Sequence, residues 1–105
     1  MGGISGERKI SLISGKACVK ALGKKYKVFK LDPKGNFISE IRKIKPQIVF
    51  NALHGRYGED GFVQSILESE KIKYTHSGVL ASSLAIDKEI SKKIFIKNKI
   101  LTPPY

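Results

Sequence analysis

Side chains able to bind or move charge stand at three places in this sequence. Glu7 closes the loop Gly2-Gly3-Ile4-Ser5-Gly6, just ahead of a stretch with helical periodicity. Free backbone amides and the positive end of a helix dipole gather there, which favours an anion or a hydrogen-bonded carboxylate. Two uses of Glu7 stay open: a first-turn acid that offsets the dipole, or a carboxylate that meets a ligand. His54 opens the second place, His54-Gly55-Arg56-Tyr57-Gly58-Glu59-Asp60-Gly61, directly after a buried-strand pattern. Open α/β sheets bind ligands at that end of their strands, and a histidine there can donate a hydrogen bond or carry a proton near neutral pH. It can equally cap the loop. Glu59 and Asp60 are adjacent, an arrangement that seldom turns both carboxylates into one site, and Asp60 suits the N-cap of the next helix. The third place is Lys88, which follows a capping Asp87 and can reach a phosphate.

Other chemistries fit less well. The glycines at 2, 3 and 6 depart from the Gly-x-Gly-x-x-Gly dinucleotide fingerprint. His54 and His76 lack a carboxylate at metal-ligand spacing, so no metal site is expected. Cys18, the single cysteine, allows neither an internal disulfide nor a cysteine-based zinc site. It is expected to pack on or beside a helix face, and its solitude suits a reducing cytosol, hence a cytoplasmic location.

These groups must be carried by alternating helices and strands. Ile10, Ile13, Ala17, Ala21 and Leu22 recur at three- to four-residue spacing and predict a helix over about 8–24 with those residues inward, ended at Gly23. Residues 26–31 alternate as a strand before the turn signal Asp32-Pro33-Lys34-Gly35-Asn36. Ile38, Ile41 and Ile44 fit a brief helix stopped by Pro46, and 47–52 reads as a buried strand. A helix with Phe62, Val63, Ile66 and Leu67 follows, then a strand near 72–75 and an Ala/Ser-rich helix to Ile86. After Asp87 a last helix turns Ile90, Ile94 and Phe95 inward, and Thr102-Pro103-Pro104 breaks it. The alternation predicts a three-layer α/β, Rossmann-like domain with a mainly parallel sheet. Its glycine-rich turn lacks the preceding strand such folds place there, so the first strand is expected to be missing. Residues 1–101 form one domain, and 102–105 read as the start of a linker.

With 105 residues, the chain has the size of one domain. No apolar run approaches the roughly 18 residues of a membrane-spanning helix, and the start lacks a signal-peptide core. Neither membrane nor secretory function is expected. The net charge of +11, from 20 Lys plus Arg against 9 Asp plus Glu, would attract polyanions. Only Arg8, Arg42 and Arg56 are arginines, and the lysines are spread along the chain beside many isoleucines. That distribution suits a solvated, compositionally biased surface better than a nucleic-acid site. A small basic nucleic-acid-binding module is the alternative, and it requires Tyr26, Phe29 and Phe37 as stacking platforms.

Four ordered stretches resemble the motifs of D-alanine–D-alanine ligases. Gly2 to Gly15, GGISGERKISLISG, is similar to the family's GGxSxERxVSLxSG opening, and Phe50 to Gly61, FNALHGRYGEDG, resembles FNALHGxxGEDG. Tyr74 to Val79, YTHSGV, is similar to YTGSGV, with His76 in place of glycine, and Ala85 to Lys88 with Ser91-Lys92 resembles MDKxxSK. The resemblance implies the N-terminal, pre-ATP-grasp domain of an ATP-grasp ligase that joins two D-alanines for peptidoglycan through an acyl phosphate. It implies that Glu7 binds the ammonium of the first D-alanine and that His54 stands beside its reacting carboxylate. It implies too that Lys88 reaches ATP phosphate and that Ser5 and Arg8 support the Glu7 loop. It further implies ATP and Mg2+ held mainly by an ATP-grasp domain beyond residue 105, a homodimeric intact enzyme, and no activity for this chain alone.

Overall fold

The computed structural model describes residues 1–104; Tyr105, the last residue of the expected linker, lies outside them. Among the described residues five helices follow one another: α1 (Arg8–Leu22), α2 (Phe37–Ile44), α3 (Phe62–Ser69), α4 (Val79–Ala85) and α5 (Lys88–Lys97). Their positions are those the periodicity predicts. Gly23 ends α1 with its N–H donated to the Val19 carbonyl. Asp87 caps α5, its carboxylate accepting from the amides of Glu89 and Ile90 at 2.9 and 3.1 Å. Asp60 acts one residue further out than expected: Gly61 is the N-cap of α3, and the Asp60 carboxylate accepts from the Phe62 amide at 3.1 Å.

The inward face of α1 differs from the expected one. Ile10 and Ile13 are exposed, and the buried residues are Ser11 and Gly15. Small side chains allow the helix to lie close against the first residues and against 52, where Ser11 Oγ accepts from the Gly2 amide at 2.8 Å and donates to the Ala52 carbonyl at 2.7 Å. The half-buried Cys18 lies beside that face, as expected. Ile90, Ile94 and Phe95 are likewise exposed, because α5 buries none of its residues among the described ones.

The sheet is the larger departure. Among the described residues one β-bridge exists, a parallel pairing of Val49 with Tyr74. The Val49 amide donates to the Lys73 carbonyl at 2.8 Å and the Thr75 amide to the Val49 carbonyl at 2.9 Å. This joins the second and third expected strands in the expected parallel sense. Residues 26–31 join no bridge. A groove of about 640 Å³ runs between them and 47–52, lined by Val19, Leu22, Val28, Phe29, Ile48 and Phe50 among others. With that space open, the backbones on its two sides cannot meet.

The core is small: Phe37 and Ile41 from α2, Leu53 from the loop, and Val63 and Leu67 from α3. Arg42 on α2 grips the Glu70 carboxylate after α3, donating from Nη2 at 2.7 Å and from Nε at 3.0 Å. A radius of gyration of 15.4 Å exceeds the roughly 13 Å usual for this length. The molecule is elongated, 44 × 28 × 26 Å, and no helix among the described residues is long and apolar enough to cross a membrane.

Candidate functional site

Glu7 takes the N-cap position of α1 but makes no side-chain capping bond, so its carboxylate is free for other use. Its loop is fastened at several points. Ser5 Oγ donates to the His54 carbonyl at 2.7 Å and accepts from the Glu7 amide at 3.1 Å, tying the two candidate residues through one hydroxyl. Arg8 donates to the Gly3 carbonyl at 2.9 Å and pairs with Asp32 at 2.7 Å, while the Asp32 carboxylate also accepts from the Gly3 amide at 3.0 Å. Partial burial pushes the Asp32 carboxyl up. The Arg8 hydrogen bond and the Gly3 and Lys34 amides outweigh it and hold the carboxyl at about 2. Arg8 and Ser5 thus support the loop that presents Glu7, and Asp32 is a support that its place in a turn signal did not reveal.

The second loop is shaped from below. Asn51 Nδ2 and the buried Gln64 Nε2 both donate to the Gly58 carbonyl, at 2.9 and 2.8 Å. A Cβ at Gly58 would overlap Leu53, so only glycine lets the loop close over the core there. Gly55 has φ +70°, and a Cβ on it would stand 3.1 Å from Glu7 Oε2, so the Glu7 carboxylate lies directly against this turn. Tyr57 stacks on Phe62, with centroids 4.1 Å apart, and anchors the loop to α3.

Glu7, His54 and Glu59 converge: one ligand atom from each lies within 4.8 Å of the others. Sequence spacing offered His54 no carboxylate, yet the fold supplies two. Glu59 Oε1 stands 3.8 Å from His54 Nδ1, and Ser14 Oγ is 3.3 Å from Nε2. Asp60 turns to the α3 amide instead, so the adjacent acids do separate. Two carboxylates and an imidazole in one open cleft can receive a primary ammonium and still present a donor beside it. They suit Mg2+ poorly, since that ion asks for near-octahedral oxygen ligands and the imidazole takes one place. Glu7 itself is exposed, so any ion pair it forms within this chain stays open to solvent.

Lys88 is the exposed first residue of α5 and lies outside the cluster of Glu7, His54 and Glu59. It has no carboxylate within ion-pairing distance among the described residues, which leaves its ammonium free. His76 adopts φ 75°, a region that favours glycine, and its ring meets Phe50 edge-on at 5.4 Å between centroids. Of the three candidate stacking rings for a nucleic acid, Phe37 is buried in the core, and Tyr26 and Phe29 lie under their neighbours Lys25 and Lys27.

Comparison with known proteins points one way. The family model for the D-ala D-ala ligase N-terminus matches residues 31–77. The D-alanine–D-alanine ligase of Pelagibacter ubique is 63% identical over 105 residues, 99% of this chain and 34% of the relative. D-alanine–D-alanine ligase B of Brucella suis is 49% identical over 99% of this chain and 34% of its own length. The crystal structure of the Bacillus anthracis D-alanine–D-alanine ligase complexed with ATP superposes with a TM-score of 0.83 at 37% identity, covering 99% of this chain and 36% of that one. The chain therefore spans about a third of the length of the relatives it matches. These similarities support no nucleic-acid-binding module.

Proposed function

We propose, from the premise that this chain carries the N-terminal domain of a D-alanine–D-alanine ligase, that it holds the first D-alanine in an ATP-dependent synthesis of D-alanyl-D-alanine for peptidoglycan. The observation that carries the reading is the meeting of Glu7 and His54, from two separate loops, in one cleft. In this reading Glu7 binds the ammonium of the first D-alanine, and the carboxylate end then points to His54. ATP phosphorylates that carboxylate, the amine of a second D-alanine attacks the acyl phosphate, and the tetrahedral intermediate expels phosphate. His54 donates a hydrogen bond where negative charge grows, and Glu7 fixes the orientation that makes attack effectively intramolecular. Lys88, with its free ammonium, contacts ATP phosphate.

The remaining parts of the reading rest on the family likeness. Residues 1–101 are the substrate-binding domain and 102–105 lead toward an ATP-grasp domain that holds the adenine, Mg2+ and most phosphate contacts. A mainly parallel sheet completes the layers. The intact enzyme is a cytoplasmic homodimer, and this chain alone does not catalyse.

A chimera tests the reading. Residues 1–105 replace the homologous stretch of the Pelagibacter ubique ligase, 63% identical to them, with all other residues of that enzyme kept. The expected result is D-alanine-dependent ADP release with formation of the dipeptide. A folded chimera that releases no ADP with D-alanine contradicts the proposal.

A further inference from the structure

We propose that Ser14 is a positioning residue for His54: its hydroxyl donates to Nε2, so that the neutral ring keeps its proton on Nδ1, the edge turned toward Glu59. The inference deepens the ligase reading and, for its functional meaning, rests on it. Serines inside helices usually satisfy their hydroxyls on their own backbone. Ser65, Ser69 and Ser83 do so here, donating to the carbonyls of Phe62, Ile66 and Val79 at 2.7, 2.8 and 2.7 Å. Ser11, one turn before Ser14, is buried and serves the backbone of Gly2 and Ala52. Ser14 alone in α1 reaches an imidazole, at 3.3 Å.

The far side of the ring fixes the direction of that bond. Glu59 Oε1 is 3.8 Å from Nδ1, and a carboxylate favours a proton on the nitrogen that faces it. Nε2 is then the acceptor and the Ser14 hydroxyl the donor. The backbone of His54 is held as well, since its carbonyl accepts from Ser5 Oγ at 2.7 Å. Ser14 thus holds the ring at Nε2, Glu59 faces Nδ1, and Ser5 holds the residue's backbone carbonyl. In the ligase reading, the consequence is that Nδ1–H, and not Nε2–H, faces the substrate carboxylate.

Long-range proton–nitrogen NMR of the chain reads the tautomer directly, with no substrate present. His54 and His76 are its only histidines, and His76→Gln assigns the two. Neutral His54 is expected mainly as the Nδ1–H form, with Ser14→Ala moving the tautomer ratio toward Nε2–H by roughly five- to tenfold, the worth of one hydrogen bond. Ser14→Thr, which keeps the hydroxyl, should restore the wild-type ratio. Ser14→Cys, close in size and a weak donor, should follow alanine if alanine loosens α1. An Nε2–H form dominant in the wild type, or a ratio unmoved by both Ala and Cys, overturns the inference. A tautomer shift alongside an inactive chimera would leave Ser14 in place and remove the ligase reading instead.

Discussion

Asp32 shows how one residue outside the cleft sets its geometry. It binds Arg8 and the Gly3 amide together and so fixes the loop that carries Glu7. Its carboxyl sits at about 2 against an ordinary 3.8, so the folded state holds that proton less tightly than the unfolded chain does. The stabilisation is therefore complete above about pH 4, declines as pH falls toward 2, and is gone below it. With the side chain a third exposed, screening reduces it to about 1 kcal/mol. Asp32→Asn should lower the melting temperature at pH 7 by several degrees and flatten the acid limb between pH 4 and 2, as thermal melts across that range would show. Unchanged melting at both pH values would mean that Arg8 and Asp32 do not hold the loop.

Three of the helices were legible from a local signal at an end: Gly23 after α1, Pro46 after α2, Asp87 before α5. The Asp87 cap gives a direct test, since Asp87→Ala should cost about 1 kcal/mol of local stability. Amide exchange at Glu89 and Ile90 should quicken about fivefold, with α1 unaffected, and Lys88 would lose its fixed base. What periodicity could not show was which face of α1 turns inward. An apolar stripe points to the core only when something apolar is there to meet it; α1 instead meets backbone at Gly2 and Ala52, where serine and glycine fit and isoleucine does not. The strands were legible as segments but not as a sheet, because pairing depends on a neighbour across the groove and not on the segment itself. Loop position and family resemblance singled out His54 and Glu7, which the fold brings together. Glu59 and Ser14 were not, since nothing local says that a loop acid and a helix serine will reach the same ring.

At the scale of the molecule, a core of five apolar side chains supports an elongated body with Ile94, Phe95 and Ile96 exposed along α5. Stability must be small, resting on a core that Phe37 and Ile41 of α2, Val63 and Leu67 of α3, and Leu53 form together. Ile41 is fully buried there, and Ile41→Ala should cost about 2 to 4 kcal/mol, enough to abolish cooperative unfolding in a urea titration of this chain. A sharp transition retained in that variant would place the core elsewhere. The same economy goes with an open cleft: Glu7 and Glu59 are exposed in this chain, which spans about a third of the length of the relatives it matches. The most direct test is therefore Glu7→Gln in the chimeric ligase, followed by kcat/KM for first-site D-alanine and KM for ATP. A loss of roughly thirty- to three-hundred-fold for D-alanine with ATP affinity nearly unchanged is predicted, as expected when an ammonium loses its charged partner. Equal losses for both ligands, or none for D-alanine, would contradict the role of Glu7.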